Sequence, residues 1–369
     1  MSRRLRVAIV APTLGILGGQ SVQAAEILRH WSGDPDVEAW LVPVDPPMPP
    51  GLGWAAEVKY ARTVATQLAY WPRLWRELRH ADVVHVFSAS YTSFLLAPLP
   101  ATLIAKALGK PVLLNYHSGE APDHLRRSRV ARAALARVDA LVVPSRFLVD
   151  VFAGFGLEAE AIPNVIDRSR FPFRARPRPR PHVISTRNLE PNYNVACTLR
   201  AFARVQARRP EATLTVVGAG SEAVPLKVLA HALGLRGVRF VGRVAPEAMG
   251  QAYGEADVYV QTPAVDNMPL SVLEAFASGL PVVSTDTGGV GAILTDGVHG
   301  LLAAPDDDAA VAAAILRLLD EPGLAPRLAD AGFQSTAALT WEVVRDRWRS
   351  VYARLARPAA TPAAEPRRA

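Results

Sequence analysis

The stretch "ADVYVQTPAVDNMPLSVLEAFASGLPVVSTD", residues 256–286, decides the fold class. It reads as an apolar strand, a loop, a short helix from about Leu270 to Ser278, and a second apolar strand. Pro269 stands at the start of the helix and Gly279 at its end, positions that these residue types favour. A strand, a crossover helix and another strand make the unit from which parallel sheets are built. The stretch therefore predicts an α/β fold.

The same alternation runs along nearly the whole chain. Apolar strands such as "LRVAIVAP" and "PVLLNYH" alternate with helices, and the pattern starts again with "HVISTRN" at residue 182. Such strands predict parallel sheets that are covered on both faces. The 369 residues exceed one ordinary core, and half of them are hydrophobic. We therefore predict two tandem Rossmann-like, doubly wound domains facing a cleft, where such sheets bind ligands.

The segment "FPFRARPRPRPH", residues 171–182, has neither helical nor strand periodicity. Its prolines predict a stiff linker, and a surface loop inside one domain is the alternative. The expected organisation is an N-terminal domain at 1–170 and a C-terminal domain at 183–340. A helix at 341–356 is expected to pack back on the N-terminal domain, and residues 357–369 lack a core-forming pattern and are expected to be disordered.

The composition limits the possible compartments and classes of partner, but it identifies no single partner. The chain has 41 Lys and Arg against 34 Asp and Glu, a net charge of +7. This excess fits anionic partners, and equally a compositional drift toward Arg, Ala and Pro. The single cysteine, Cys197, excludes an intrachain disulfide and a cysteine-based metal site, and it suits a reducing compartment. The first apolar run is too short for a signal peptide, so a cytoplasmic protein without a nucleic-acid partner is expected.

The loop and helix of residues 266–278 supply a candidate anion site. Asp266 follows the carboxyl end of a strand, and the free N–H groups at the helix start attract an anion such as a diphosphate. Glu274 lies about one turn into the helix among apolar neighbours. A carboxylate there is costly unless it accepts hydrogen bonds, for which sugar or ribose hydroxyls are candidates. The alternative is a carboxylate that only stabilises the helix dipole.

Two segments of the N-terminal half would face the same cleft. In "PTLGILGGQ", residues 12–20, glycines allow close backbone approach before a helix begins. In "LLNYHSGE", His117 follows a strand and could hydrogen-bond a sugar hydroxyl or a leaving oxygen. A structural histidine is the alternative. Glu120 and Asp123, just downstream, are candidate contacts to an acceptor.

These segments resemble the family 4 glycosyltransferases, which have the two-domain GT-B fold. Residues 266–286 are similar to that family's E-x7-E segment, with Asp266 in the first acidic position, where Glu is usual, and Glu274 in the second. The resemblance implies that Asp266 faces the reacting sugar and Glu274 the nucleotide ribose. "STRNLEPNYNV" resembles the segment whose Arg and Lys grip the donor diphosphate. Arg187 matches the Arg, whereas Tyr193 stands where the Lys is expected.

The resemblance also implies the remaining parts of the site. The Gly18–Gly19 loop would lie over the donor phosphate, His117 would contact the donor sugar, and Gly218 in "VVGAG" would lie near the base. Main-chain amides around Asn267–Leu270 would bind the donor. The expected donor-binding residues are Gly18, Gly19, Arg187, Tyr193, Gly218, Asn267, Met268, Leu270 and Glu274, and the expected catalytic residues are Asp266, His117 and Arg187.

The implied activity is a retaining, metal-independent transfer of a hexose from a nucleotide-diphosphate sugar, with no further cofactor. The acceptor would be a glycan or a lipid-linked molecule, in cell-surface polysaccharide or glycolipid biosynthesis. A glycosyltransferase-like protein that binds sugars without turnover is the alternative, because the loop lysine is missing and an Asp replaces a Glu. A dehydrogenase is disfavoured because neither half carries the dinucleotide-binding glycine fingerprint.

A membrane contact is a separate question. Residues 124–138, "HLRRSRVARAALARV", contain five arginines, and Trp71 and Trp75 are four residues apart on one helix face. Aromatic and basic residues together suit an anionic membrane interface, here at the inner face of the membrane. The alternative is an arginine-rich solvated face with the tryptophans in the core.

Overall fold

The computed structural model describes residues 3–16, 18–48, 51 and 58–357. Within these residues the chain forms two six-stranded parallel sheets, each with helices on both faces. The prediction of two tandem doubly wound α/β domains is confirmed. Most of the tail that was expected to be disordered, residues 358–369, lies outside the described residues.

The N-terminal sheet has the strand order β2-β1-β3-β4-β5-β6. Its strands are continuous apolar runs because both faces are covered, and every residue of β3 and β4 is buried. The strands are β1 (Leu5–Ala11), β2 (Val37–Pro43), β3 (Val83–Ser88), β4 (Val112–Tyr116), β5 (Ala140–Val143) and β6 (Glu160–Ala161). The helices are α1 (Gly19–Trp31), α2 (Lys59–Leu78), α3 (Tyr91–Leu96), α4 (Pro98–Ala107), α5 (Ala121–Arg127), α6 (Arg129–Leu135) and α7 (Arg146–Ala153).

The C-terminal sheet has the order β12-β11-β10-β7-β8-β9. Its strands are β7 (His182–Thr186), β8 (Thr213–Val217), β9 (Val238–Gly242), β10 (Val258–Gln261), β11 (Val282–Thr285) and β12 (Leu301–Ala303). The helices are α8 (Val195–Arg208), α9 (Ala223–Ala232), α10 (Met249–Glu255), α11 (Leu270–Ala277), α12 (Asp308–Asp320), α13 (Leu324–Ser335) and α14 (Trp341–Ala356). In both sheets the strand order reverses direction beside the first strand, which opens a crevice at the carboxyl ends of the strands.

The last helix, α14, packs on the N-terminal sheet rather than on the domain that precedes it. Trp341 meets Trp31 edge-on with ring centroids 4.8 Å apart. Trp348 stacks on His85 at 4.9 Å, and the Tyr352 hydroxyl lies 2.8 Å from Nδ1 of His85. The chain thus crosses between the two domains twice, and aromatic burial fixes the second crossing.

The segment at 171–182 contains no helix or strand before β7 begins at His182, but it is fixed to the C-terminal domain. Arg176 is buried and donates to the carbonyl oxygens of Ala256 at 2.9 Å and Ser278 at 2.7 Å. Burial lowers the pKa of Arg176 to about 10. The segment is therefore a packed connection, and the domain limits at residues 170 and 182 stay a prediction.

Candidate active site

A cleft of about 630 Å³ lies between the two domains, at the carboxyl ends of both sheets. Both domains contribute to its walls, as the fold predicts. The expected residues that line it are Gly18, Gly19, His117, Glu120, Arg187, Tyr193, Gly218, Asp266, Met268, Leu270 and Glu274. The expected residues that lie outside its walls are Asn267 and Asp123.

Arg187 follows β7 and occupies the centre of the C-terminal wall. Its Nη2 donates to Oδ2 of Asp266 at 2.7 Å, and its Nη1 donates to Oγ of Ser271 at 2.9 Å. Its Nε is buried and has no partner among the described residues. Burial, the largest single influence, would lower the pKa of Arg187, but the charge of Asp266 together with smaller contributions from Tyr193, Tyr259 and Tyr253 outweighs it and raises the pKa. A permanently charged guanidinium with an unused donor therefore faces the cleft.

Tyr193 takes the place of the expected lysine and contacts Arg187 directly. It ends a 3-10 turn at Pro191–Tyr193, and its ring lies 4.1 Å from the Arg187 guanidinium carbon in a cation–π contact. The ring holds the guanidinium but adds no positive charge. Arg243, which follows β9, is a cation of the cleft wall that sequence reasoning missed. Its side chain is exposed and forms no ion pair within the described residues.

Glu274 lies on α11, with its carboxylate turned toward the cleft. It is the fifth residue of the helix, beyond the first turn where a dipole-stabilising carboxylate would act. Burial raises the pKa of Glu274, and the hydroxyl of Tyr253, which donates to its Oε2 at 2.7 Å, partly offsets this. Tyr253 is a second residue that the sequence did not reveal. The geometry favours Glu274 as an acceptor for ligand hydroxyls over the dipole interpretation.

Asn267 joins the two domains and lies outside the cleft walls, and its assignment to the donor site stays a prediction. Its main-chain N–H donates to Oδ1 of Asp266 at 2.9 Å and is not free. Its side-chain oxygen accepts from the hydroxyl of Ser145, and its Nδ2 lies 3.4 Å from the carbonyl oxygen of His117. Its main-chain N–H and its side-chain amide are thus both engaged within the protein. Pro269 has no N–H group, so the amides at the start of α11 begin with that of Leu270.

His117 lies on the N-terminal wall, directly after β4. Its ring stacks on Phe87 with centroids 5.0 Å apart, and its Nε2 has no partner among the described residues. Burial lowers the pKa of His117 to about 3, so the imidazole is neutral near pH 7. A neutral ring with an unpartnered nitrogen at a cleft can hydrogen-bond a ligand oxygen. This arrangement favours the ligand-contact interpretation over a purely structural one.

Of the two acceptor candidates, only Glu120 reaches the cleft. Asp123 lies behind the wall, where it accepts from the hydroxyl of Tyr91 at 2.6 Å and from Nε of Arg127 at 2.9 Å. Asp123 thus reaches the cleft only through Tyr91, which lines it, and its assignment to acceptor contact stays a prediction. Burial raises the pKa of Glu120, and the Ser118 hydroxyl partly opposes the rise.

Glycines allow close approach of backbone segments at this site. A Cβ on Gly218 would lie 2.0 Å from the carbonyl oxygen of Arg187, and Gly218 has a φ of +139°, which favours glycine. Gly18 caps the start of α1, and an added Cβ on Gly19 would lie 4.0 Å from Leu270. The first residues of α1 and α11 thus face each other across the cleft. Two helix N-termini favour a negatively charged ligand between them.

Among the described residues, no group of three or more His, Cys, Asp or Glu is placed to hold a metal ion. None of the described helices has the length and apolar character required to cross a bilayer.

Known families and proteins match this chain over most of its length. The family model described as "Glycosyltransferase Family 4" matches residues 17–170, and the one described as "Glycosyl transferases group 1" matches residues 167–335. Glycogen synthase of Mycobacterium tuberculosis is 32% identical over 298 residues, which are 76% of this chain and 69% of that protein.

Two further proteins resemble this chain, one in sequence and one in structure. A GDP-mannose-dependent alpha-(1-6)-phosphatidylinositol monomannoside mannosyltransferase of Mycolicibacterium smegmatis is 30% identical over 310 residues, covering 77% of this chain and 78% of that protein. The crystal structure of Anabaena HepE in complex with UDP and glucose superposes with a TM-score of 0.74 at 16% identity, covering 95% of this chain and 100% of that one. The structural similarity concerns the fold alone, and the GT-B prediction is confirmed. The chain belongs to the family 4 glycosyltransferases, and it is a glycosyltransferase that uses a nucleotide sugar.

Proposed function

We propose that the protein transfers a hexose, with retention of configuration, from a nucleotide-diphosphate sugar to a glycan or lipid-linked acceptor in the cytoplasm. The pathway would be cell-surface polysaccharide or glycolipid biosynthesis. One observation carries the proposal. Arg187, the start of α11 and Glu274 form one wall of the cleft, and the Gly18–Gly19 loop and His117 form the other.

The C-terminal wall suits the nucleotide. Arg187 and the free amides from Leu270 onward would bind the diphosphate, because a guanidinium and a helix N-terminus both favour phosphate oxygens. Glu274 would accept hydrogen bonds from ribose hydroxyls, which would satisfy a carboxylate that is otherwise buried beside Tyr253. One relative is a GDP-mannose-dependent mannosyltransferase, and one structural neighbour was crystallised with UDP and glucose. Both nucleotides are therefore candidates for this chain.

The ion pair between Arg187 and Asp266 would open when the donor binds. The diphosphate and the Asp266 carboxylate would compete for the same guanidinium, because Nη2 donates to Oδ2 of Asp266 at 2.7 Å. Exchange of the carboxylate for a phosphate oxygen would leave Asp266 free to accept hydrogen bonds from the sugar. The departing diphosphate would be stabilised by Arg187 and the two helix N-termini without a metal. The acceptor hydroxyl would attack from the same face of the sugar, with the leaving phosphate taking its proton.

The second candidate is a protein that binds nucleotide sugars without turnover. It is favoured by Tyr193, whose ring occupies the position of the expected lysine and supplies no charge to the leaving group. The shorter Asp266 in place of Glu points the same way.

The two candidates are separated by a screen of UDP-, GDP- and ADP-sugars, first for binding by thermal shift and then for donor turnover. Arg187→Ala and Glu274→Gln are then assayed with the best donor. We expect both variants to lose most of the transfer activity. Undiminished transfer by both variants would refute the assigned roles, and tight donor binding without turnover on any acceptor would favour the second candidate.

A further inference from the structure

The N-terminal wall of the cleft carries a group of hydroxyl-bearing side chains at the carboxyl ends of two neighbouring strands. The group consists of Ser90, Tyr91, Thr92 and Ser93, which follow β3, and Ser118, which follows β4. Thr92 and Ser93 are exposed, and their hydroxyl groups form no hydrogen bond within the described residues. A hydroxyl group can both donate and accept, so a cluster of them favours a ligand that itself carries several hydroxyl groups.

Two of these hydroxyl groups are held in place from behind the wall. Ser90 is buried, and its Oγ lies 2.8 Å from the hydroxyl of Tyr116, which in turn lies 2.8 Å from Nδ1 of His124. The hydroxyl of Tyr91 donates to Oδ2 of Asp123 at 2.6 Å, and Tyr91 has a φ of +54°, which residues with a side chain rarely adopt. Such strain persists only where surrounding contacts fix the residue. The wall is therefore ordered before a ligand arrives, which lowers the cost of binding.

The charge of this wall is negative. Of the described residues up to Asn164 that line the cleft, Glu120 alone carries a charge, because the ring of His117 is neutral near pH 7. Glu120 is half-buried and forms no ion pair within the described part of the chain. Burial raises the pKa of Glu120 most, Asp123 adds to the rise, and the Ser118 hydroxyl opposes it. An unpaired carboxylate therefore stands beside the hydroxyl group cluster.

The cations of the cleft lie on the opposite wall or at the crossing between the domains. Among the described residues that line the cleft they are Arg170, Arg187 and Arg243. Arg187 and Arg243 follow strands of the C-terminal sheet. Arg170 lies at the crossing, where its Nη2 donates to the carbonyl oxygen of Pro246 at 2.7 Å and its Nη1 lies 3.5 Å from Oε2 of Glu26. A negatively charged ligand on the N-terminal wall would therefore lack a counter-ion there.

The arginines of α5 and α6 do not supply that counter-ion, because none of them lines the cleft. Arg126 and Arg127 lie 3.8 Å and 2.9 Å from Oδ1 of Asp123, and Arg132 donates to the carbonyl oxygen of Leu125 at 3.0 Å. Their positive charges lie behind the wall, whereas the carboxylate of Glu120 faces the cleft.

We propose that the acceptor group which enters the cleft is an uncharged unit rich in hydroxyl groups, the end of a neutral glycan or a polyol, and that Glu120 excludes phosphorylated acceptors. This acceptor class presupposes the proposed transfer reaction, because the nucleotide would occupy the C-terminal wall and leave the N-terminal wall to the acceptor. Glu120 accepts hydrogen bonds from the acceptor hydroxyl groups. A phosphate placed there meets a carboxylate of the same sign without a nearby cation, which disfavours its binding.

The test measures acceptor binding by saturation-transfer difference NMR, with UDP or GDP at saturation so that Arg187 is occupied. The probes are pairs that differ by one phosphate: glucose and glucose 6-phosphate, mannose and mannose 6-phosphate, glycerol and glycerol 3-phosphate, and myo-inositol and myo-inositol 1-phosphate. We expect at least one neutral member to bind about 10-fold more tightly than its phosphorylated partner. Glu120→Gln keeps the shape of the side chain and removes its charge, so it should narrow this ratio to about 3-fold.

Glu158→Gln is the matched control, because Glu158 is an exposed carboxylate in the N-terminal half that does not line this cleft. It should leave the ratio unchanged, and circular dichroism should show that both variants are folded. The acceptor class is overturned if the phosphorylated members bind as tightly as the neutral ones, if no neutral member binds, or if Glu120→Gln leaves the ratio unchanged. A wild type that binds neither UDP nor GDP would instead overturn the proposed function, and the acceptor class with it.

Discussion

Replacing Asp266 by Asn should tighten nucleoside diphosphate binding while it slows sugar transfer. The carboxylate and Arg187 form a hydrogen bond of 2.7 Å, and their side chains are only 14% and 9% exposed. A charge-assisted hydrogen bond of this kind contributes about 1.5–3 kcal/mol. The protein must give up that free energy before the same guanidinium nitrogen can bind a phosphate oxygen of the donor. Asp266→Asn keeps the shape of the side chain but removes its charge.

The expected gain is about 1.4 kcal/mol, or about 10-fold in Kd, because the amide oxygen of Asn still offers Arg187 a neutral hydrogen bond. Transfer should fall about 100-fold, because the charged acceptor for the sugar hydroxyls is lost at the reaction centre. Isothermal titration with UDP and GDP measures the first effect, and donor turnover measures the second.

Asp308→Asn is the matched control, because Asp308 pairs with Arg204 at the same 2.7 Å but lies outside the cleft. It should change neither nucleotide affinity nor turnover. If Asp266→Asn binds UDP and GDP no more tightly than the wild type, the carboxylate and the diphosphate do not compete, and the exchange is refuted.

Three further predictions concern the supports of the site. Gly218→Ala should abolish nucleotide binding, because its Cβ would lie 2.0 Å from the carbonyl oxygen of Arg187, in a backbone with φ +139°. Gly119→Ala should lower kcat by a larger factor than it lowers the equilibrium constant for folding, because its Cβ would lie 2.7 Å from the backbone of Asp266 across the domain contact. Lowering the pH from 6.5 to 5 should destabilise the fold through His85 by up to about 1.4 kcal/mol per pH unit, because burial lowers its pKa to about 3 and only the unfolded chain then takes up a proton.

Each of the three has a control on the same chain. Gly234 has φ +64° and an added Cβ would meet nothing described within 4 Å, so Gly234→Ala should cost about 1–2 kcal/mol of strain and leave nucleotide binding intact. Gly254→Ala, also without a close neighbour, should leave kcat unchanged. Urea unfolding of His85→Gln should show a shallower pH slope than the wild type. Equal pH slopes for His85→Gln and the wild type would contradict the reasoning. So would a Gly218→Ala variant that behaves like Gly234→Ala, or a Gly119→Ala variant that behaves like Gly254→Ala.

Local patterns predicted the alternation of strands and helices, and the misses have long-range causes. The helix predicted from about Leu270 to Ser278 is found as α11, Leu270–Ala277. Helix α13, Leu324–Ser335, was not predicted, since its sequence contains Pro326 and Gly332, which discourage helix formation. In the structure Gly332 is required, because an added Cβ would lie 2.5 Å from the ring of Phe276. A contact between residues 56 positions apart leaves no local signal.

The site shows the same division between local and long-range information. The position of Glu274 at the cleft followed from the helix that carries it, and that of Arg187 followed from the resemblance of its segment to the family 4 glycosyltransferases. The positions of Tyr253 and Arg243 were not predicted from the sequence. Tyr253 supports Glu274 from another helix, and Arg243 reaches the cleft from an edge strand. Nothing in the neighbouring sequence marks either residue, because each acts through the packing of elements that are distant along the chain.

The loop at Asp266–Met268 shows why the contacts of Asn267 matter for the mechanism. One side of the loop pairs with Arg187, and the other is held by the N-terminal domain. Asn164 donates from its Nδ2 to the carbonyl oxygen of Met268 at 2.9 Å, and Ser145 donates to the side chain of Asn267. Any movement that opens the cleft must break these contacts, and the loop that places Asp266 on Arg187 then loses its support. The closure of the two domains and the state of this ion pair are therefore expected to change together.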